Sequence, residues 1–174
     1  MDNYPAALRP LKDGPQTEPF VDWWSRVGKR GFPNVPPDAA QHWLWEHWGH
    51  SPYGHLTSAR YSFSDTHMAP SHLLDVRSEW DGYDPLHAGC VAKGRDLIVN
   101  MPGLYLPASM AASGTWPIRP IVLDNRSPID ETADLPQGLV LIEGHLRFNI
   151  AAYLLSVGRF AQRHSVWLMR AIEK

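Results

Sequence analysis

The stretch that decides the fold is Leu139-Val140-Leu141-Ile142-Glu143-Gly144-His145-Leu146-Arg147-Phe148. Its first four residues form an unbroken apolar run, which is typical of a short buried strand. From Leu146 onward, apolar residues such as Ile150 and Leu154 recur at helical spacing, and Gly158 is a typical residue for the end of a helix. The stretch therefore predicts a strand, a turn at Gly144 and a helix in direct succession.

The residues on either side predict further short elements. Apolar runs indicate strands at residues 96–100, 119–124 and 165–169, and residues 107–113 predict a short helix that ends at Gly114. The predicted order over residues 95–174 is strand, helix, strand, strand, helix, strand. This order indicates an α+β domain with a small mixed sheet.

The first half of the chain is less regular and is rich in aromatic and imidazole side chains. Residues 1–87 contain six of the eight tryptophans and seven of the nine histidines. Closely spaced prolines predict an extended arm over residues 1–19, and helices are predicted at 20–27, at 39–47 behind a capping Asp38, and at 71–79. We expect a helical, aromatic-rich part over residues 1–94 that packs on the same domain as residues 95–174.

Composition and charge bound the possible functions. The chain has 174 residues, which suits one domain, and its only cysteine, Cys90, excludes an internal disulfide and a zinc site built on paired cysteines. No apolar stretch is long enough for a bilayer, so we expect a cytoplasmic protein without a membrane partner. The net charge of −2 hides an asymmetry, because residues 1–87 carry 7 basic and 11 acidic side chains whereas residues 88–174 carry 9 and 7.

The turn at Gly144 is the strongest candidate for chemistry. A glycine between a strand and a helix lets the backbone approach a ligand closely, and the helix N-terminus presents free amides and a partial positive charge. The guanidinium of Arg147, one turn into the helix, is suited to bind a phosphate group there. The alternative is that Gly144 only makes the turn and that Arg147 pairs with an acidic side chain at the surface.

Three motifs in this half occur in the order and spacing of a known family. They are Ser109-Met110-Ala111-Ala112-Ser113-Gly114, then Arg119-Pro120-Ile121-Val122-Leu123, then Leu141-Ile142-Glu143-Gly144-His145-Leu146-Arg147-Phe148-Asn149-Ile150-Ala151. Over residues 95–170 the chain resembles the ParB/sulfiredoxin-like domain. The resemblance implies a small mixed sheet of that type and a nucleotide or phosphoester site at the turn, where Gly144 and Arg147 match the family's Gly-x-x-Arg motif.

The chain also departs from the two best-known branches of that family. Sulfiredoxins have a catalytic cysteine directly after the motif glycine, where this chain has His145. The chromosome-partitioning proteins continue into a helix-turn-helix domain, for which no residues are left before Lys174. The resemblance therefore implies a stand-alone member, similar to plasmid fertility-inhibition and oncogenic-suppression proteins that hydrolyse nucleotides or cleave DNA.

A phosphoester hydrolase needs a group that activates water and groups that stabilise charge on the phosphate oxygens. Arg147 suits the second task, and Glu143 or His145 suits the first. Asp124 at the end of its strand is a candidate ligand for Mg²⁺, and Asn125 beside it is a candidate contact to the substrate. The alternatives are an ordinary strand-ending turn at residues 124–125 and a merely capping role for His145.

The predicted activity is therefore metal-assisted hydrolysis of ATP, of another nucleoside triphosphate or of DNA. The residues expected to contact the nucleotide are Gly144, His145, Arg147 and Asn125. Under this hypothesis Arg147→Ala abolishes nucleotide binding and leaves the fold intact.

Two other functions remain open. A non-enzymatic regulator would bind a partner protein through the Trp-rich half, since aromatic side chains are common anchors at interfaces. A DNA-binding module without hydrolysis would use a basic patch made of Arg119, Arg126, Arg147, Arg159, Arg163 and Arg170. The segment from His42 to His50, with His55 beyond it, could hold a metal or stack on bases, but packing of its tryptophans against the core is the favoured interpretation.

Overall fold

The computed structural model of the chain describes residues 5–14, 16–49, 51–77 and 88–172. The strands among these residues are β1 (Lys12–Asp13), β2 (Gln16–Thr17), β3 (Tyr61–Met68), β4 (Val76–Arg77), β5 (Ile121–Asp124), β6 (Leu139–Glu143) and β7 (His164–Ala171). The helices are α1 (Phe20–Gly31), α2 (Pro37–Ala39), α3 (Pro70–Leu73), α4 (Ala88–Asn100), α5 (Tyr105–Ser113) and α6 (His145–Ser156), with a π-helix at Ala40–Trp45. None of the helices in the described ranges is long and apolar enough to span a bilayer.

A five-stranded mixed sheet forms the centre of the fold. Its strand order is β3-β7-β5-β6-β4, whereas β1 and β2 form a separate two-stranded hairpin. Strand β7 runs antiparallel to β3 and parallel to β5, β5 runs antiparallel to β6, and β6 runs parallel to β4. The predicted α+β class with a small mixed sheet is therefore confirmed.

Both faces of the sheet are covered. Along β5, Ile121 and Leu123 join one hydrophobic cluster and Val122 joins the other, because successive side chains of a strand point to opposite faces. The first cluster contains the aromatic side chains of the N-terminal half, and the second contains Phe148 and Leu154 of α6. Helices pack on one face and the aromatic-rich part packs on the other.

The tryptophans of the N-terminal half belong to the core. Trp23 and Trp43 are fully buried, and Trp24, Trp45 and Trp48 pack partly buried around them. The indole N–H of Trp23 donates to the carbonyl of Leu8 at 2.8 Å, which ties the N-terminal arm to α1. The packing interpretation of Trp43, Trp45 and Trp48 is confirmed.

The strand predicted at residues 96–100 is wrong, because these residues form the last part of α4. Leu97 and Ile98 pack partly buried against the cluster around α6, which a helix achieves as well as a strand. A five-residue apolar run has no periodicity that distinguishes the two structures. The helix also extends across residue 94, where the boundary between the two predicted parts was placed.

Several other elements agree with the sequence or extend beyond it. Predicted residues 20–27, 107–113, 139–142 and 165–169 lie within α1, α5, β6 and β7, and the strand predicted at 119–124 begins at Ile121. The helix predicted at 71–79 is restricted to α3, and β4 follows it, while residues 78–79 lie outside the described ranges. The sequence did not predict β3. Because β3 and β4 both lie in the first half of the chain, this half supplies two of the five strands in the sheet.

Helices α4 and α6 cross in close contact at Gly94. A Cβ atom on Gly94 would stand 2.0 Å from the backbone oxygen of Asn149 and 3.0 Å from the Cβ atom of Tyr153. Only a glycine allows this approach. The crossing also brings Lys93, the residue before the glycine, to the end of the molecule where α6 begins.

Candidate functional site

A cavity of about 390 Å³ lies where the N-terminus of α6 faces the N-terminal half. One wall is the glycine turn, residues 143–147, and another comes from residues 42–47 and 51–52. Lys93 of α4 and Tyr105 of α5 also line the cavity. The cavity therefore joins two motifs that are separate in the sequence, the Gly-x-x-Arg motif and the histidine-rich segment.

Gly144 adopts a backbone conformation that other residues rarely adopt. Its φ is +110°, and a Cβ atom at this position would stand 2.6 Å from the Cβ atom of Pro120. Helix α6 begins at the next residue, without a side-chain cap, and its first intrahelical bond runs from the amide of Phe148 to the carbonyl of Gly144 at 2.9 Å. Residues 144–147 line the cavity, so the N-terminal end of α6 borders it.

The side chain of Arg147 is buried rather than exposed to solvent. The residue is 5% exposed, and its guanidinium donates to the carbonyl oxygens of Ile118 at 3.0 Å and Arg119 at 3.4 Å. It also donates to the carboxylate of Glu143. Of the two interpretations of Arg147, pairing with an acidic side chain is the one observed. The partner, Glu143, is partly buried and does not lie at the surface.

The segment Ala40–Trp45 is a π-helix within the helix predicted at residues 39–47. The amide of Glu46 donates to the carbonyl of Gln41 at 3.0 Å, which is a bond across five residues instead of four. The wider turn places His42, Glu46 and His47 together on the cavity wall. Single π turns of this kind are found frequently at functional sites.

Two histidine–carboxylate pairs border the cavity. His42 Nδ1 lies 3.1 Å from Glu46 Oε2, and His47 Nε2 lies 3.9 Å from Glu143 Oε1. The second pair connects the two walls, since His47 belongs to the N-terminal half and Glu143 to the end of β6. Glu143 therefore has Arg147 on one oxygen and His47 near the other.

His145 is a neutral imidazole at neutral pH. Burial and the nearby positive charges of Arg147, His47 and Lys93 lower its pKa from 6.5 to about 4. It lines the cavity at the first position of α6. A neutral imidazole can accept or donate a hydrogen bond to a ligand there, but it adds no positive charge.

The same shift predicts that the protein loses stability in mild acid. Burial also lowers the pKa of His164, whose ring contacts Thr115 Oγ1 at 2.9 Å and the carbonyl of Ala161 at 2.6 Å. Both histidines bind protons more readily in the unfolded chain. The free energy of unfolding should therefore be constant above about pH 6.5. Below this pH it should decrease, by at most about 1.4 kcal/mol per pH unit for each histidine.

Urea unfolding at pH 7, 6 and 5 measures this loss. The variant His145→Asn should show a shallower dependence on pH than the parent protein. Equal free energies of unfolding at pH 7 and pH 5 in the parent would contradict the prediction.

Asp124, the predicted metal ligand, does not lie at the turn. In the sheet register Asp124 pairs with Leu139, whereas Glu143 pairs with Ile121 at the opposite end, about 10 Å away along the strands. Arg126 and Arg170 both donate to the Asp124 carboxylate and lower its pKa to about 2.

A carboxylate that two arginines already bind does not fit Mg²⁺. Within the described residues, no three His, Cys, Asp or Glu side chains are grouped to hold a metal ion. Asp124, with its two arginine partners, therefore does not fit a resident magnesium ion, and we assign no step to one.

Asn125 has a structural role next to this pair. Its side-chain amide donates to the carbonyl of Thr132 at 3.1 Å and to the carbonyl of Pro136 at 3.0 Å. The residue is buried and holds the loop between β5 and β6. The structure thus brings Glu143, Gly144, His145 and Arg147 together at the cavity. It places Asp124 and Asn125 away from them.

Most of the arginines of the predicted basic patch are neutralised or buried by neighbours. Arg119 pairs with Asp38 at 3.2 Å and with Asp65 at 3.0 Å, and its guanidinium lies over the ring of Trp167. Arg159 donates to the carbonyl of Ala111 at 2.8 Å. Arg147 pairs with Glu143, and Arg126 and Arg170 share the carboxylate of Asp124, so four of the six arginines of the predicted patch have acidic neighbours.

The cavity residues that the sequence did not predict as part of this site include His47, Lys93 and Tyr105. His47 belongs to the histidine-rich segment, but its spacing to His50, which lies outside the described residues, gave no indication of Glu143 as a neighbour. Lys93 precedes a segment that was predicted as a strand. The chain matches no protein-family model, no curated protein and no solved structure.

Proposed function

We propose that this protein binds a nucleoside phosphate in the cavity at the glycine turn and hydrolyses one of its phosphoester bonds. The observation that carries the proposal is the cavity itself, in which the N-terminus of a 12-residue helix and Lys93 meet an apolar and aromatic wall. Its volume of about 390 Å³ suits a small ligand. The resemblance of the Gly144-x-x-Arg147 motif to the ParB/sulfiredoxin-like domain supports the same ligand class.

The phosphate belongs at the polar end of the cavity. The first amides of a helix have no partners within the helix and carry a partial positive charge, which favours a phosphate group. Lys93 is exposed and lines the cavity from α4, so its flexible side chain can bring the ammonium group into contact with the phosphate oxygens. Glu143 neutralises Arg147, whose part in the proposal is to hold the turn rather than to bind the ligand.

The nucleoside belongs against the apolar wall. Trp43, Leu106 and Ile118 line the cavity, and Tyr105 is 71% exposed, so its ring is open to solvent. Base rings stack on aromatic side chains independently of their identity, because every base has a π face. Magnesium enters the proposal only as the counter-ion that accompanies a nucleoside triphosphate.

Lys93→Ala should weaken the binding of AMP, ADP or ATP about tenfold or more, because a hydrogen bond to a charged group contributes about 1.5–3 kcal/mol. Calorimetry with each nucleotide, and with inorganic phosphate as the minimal ligand, measures the change. Lys29→Ala is the matched control, since Lys29 is an exposed lysine of α1 that does not line the cavity.

Phosphate release from the nucleotide that binds most tightly, with and without magnesium chloride, then tests hydrolysis. Equal affinity in the two lysine variants would show that the ligand does not use this end of the cavity. A parent protein that binds none of these ligands would overturn the proposed function.

A further inference from the structure

We infer that His47 accepts the proton of the attacking water and that Glu143 positions its ring. This inference rests on the proposed function and names the residue that performs the chemistry. His47 stands on a different wall from the glycine turn, its side chain is 44% exposed, and its Nε2 faces Glu143 Oε1 at 3.9 Å. It is therefore open to a water molecule in the cavity and has a carboxylate on its other side.

The other two candidates are less suited to the task. Glu143 has Arg147 bound to one oxygen and His47 Nε2 at 3.9 Å from the other, so both of its oxygens already have a neighbouring side chain. His145 is a weak base, because burial and neighbouring charges lower its pKa to about 4. A general base works best when its own pKa lies near the operating pH.

The π-helix is an independent observation that points to the same residue. It inserts one extra residue into the turn before His47 and directs this side chain toward the cavity together with His42. Without the extra residue, the position five after His42 would not share its side of the helix. The frequent association of π turns with functional sites supports the same choice of residue.

The contacts around Glu143 make it a positioning residue. Arg147 holds Oε2 and is itself fixed by the carbonyl oxygens of Ile118 and Arg119, so the carboxylate is rigidly placed at the end of β6. His47 presents Nε2 to this carboxylate, which leaves Nδ1 for the water. Contacts between catalytic groups are commonly long in the absence of ligand and shorten when substrate binds.

Several titratable and charged groups surround His47 at the cavity. Glu143 faces it from β6, His145 and Arg147 lie behind Glu143 on α6, and Lys93 approaches from α4. His42 and Glu46 belong to its own segment and are paired with each other. Glu143 is the nearest of these groups for which the structure gives a contact.

The step consumes one water molecule and no other reactant. The water oxygen forms a bond to phosphorus while its proton moves to Nδ1 of His47. The bond between phosphorus and the leaving oxygen breaks, the electron pair stays on that oxygen, and the oxygen takes a proton from solvent. His47 then returns its proton to solvent, which restores the starting state.

The test is steady-state phosphate release from the nucleotide that the parent protein binds, measured from pH 5 to pH 9 on full-length His47→Gln. We expect kcat to fall about a hundredfold to ten-thousandfold, with the affinity from calorimetry little changed. The rise in rate that accompanies deprotonation of His47 in the parent should be absent from the variant. His72→Gln is the matched control, because His72 is an exposed histidine of α3 outside the cavity.

Glu143→Gln tests the positioning role. Its kcat should fall while KM changes little, and in the double variant H47Q/E143Q the two losses should not add, because Glu143 acts through His47. Additive losses would overturn the positioning role. If Glu143→Gln does not fold, His47→Gln decides the inference by itself.

The outcomes separate this inference from the proposed function. If His47→Gln keeps the parent's kcat and pH profile, His47 is not the base, and the proposed function stands. If the parent binds nucleotides but releases no phosphate from any of them, hydrolysis is overturned together with its base.

Discussion

Arg147→Ala should lower the free energy of unfolding by about 3–5 kcal/mol, as is usual when one partner of a buried ion pair is removed. The variant leaves the carboxylate of Glu143 without its guanidinium and leaves the carbonyl oxygens of Ile118 and Arg119 without a donor. The expectation from the sequence, that this variant loses nucleotide binding and keeps its fold, is revised by these contacts. Urea denaturation at pH 7 measures the loss.

A second variant distinguishes a lost ion pair from lost packing. Replacing both partners, with Glu143→Leu and Arg147→Met together, should recover most of the loss, because two apolar side chains of similar size leave no buried charge. Arg163→Ala, at an exposed position, should change the free energy of unfolding by at most about 0.5 kcal/mol. A loss below about 1 kcal/mol for Arg147→Ala would mean that the buried pair does not form.

This result also decides how binding data are interpreted. An arginine that holds the turn from within will abolish ligand binding when it is removed, whether or not it touches the ligand. Lys93→Ala is the sharper probe of the phosphate, since its side chain is exposed and reaches the cavity from another helix.

Gly94→Ala should destabilise the protein by about 3 kcal/mol or more, which is at the upper end for an overpacked core. The added Cβ atom would stand 2.0 Å from the oxygen and 2.6 Å from the carbon of the Asn149 carbonyl. These are backbone atoms of α6, so the clash is relieved only if the two helices separate. The better helix propensity of alanine, about 1 kcal/mol, offsets only part of this loss.

Thermal unfolding measures the effect, and we expect the midpoint to fall by about 6–12 °C for a chain of this size. Gly103→Ala is the control, because a Cβ atom there would meet nothing within 4 Å. Similar shifts in the two variants would show that α4 and α6 are not in close contact. Because the crossing positions Lys93, a folded Gly94→Ala variant should also bind phosphate ligands more weakly.

The elements that were predicted correctly depend on local patterns. The apolar run of β6, the helical spacing of α6 and the glycine between them are contained in residues 139–158, and the structure reproduces them almost to the residue. The prediction failed at residues 96–100, where the apolar run is too short to show a period. It also missed β3, whose mixed pattern Tyr61-Ser62-Phe63-Ser64-Asp65-Thr66-His67-Met68 becomes a strand through its pairing with β7.

The α+β class, the strand–turn–helix unit around Gly144 and the packing role of the tryptophans follow from the sequence alone, because side-chain spacing and hydrophobicity act over neighbouring residues. The composition of the candidate site depends on tertiary contacts. The sheet register carries Asp124 and Asn125 to the far end from Glu143, and the π-helix brings His47 to Glu143 from the other half of the chain. The full set of site residues could not be predicted from the motif. Burial, charge pairing and contacts between distant segments exist only once both faces of the sheet are covered.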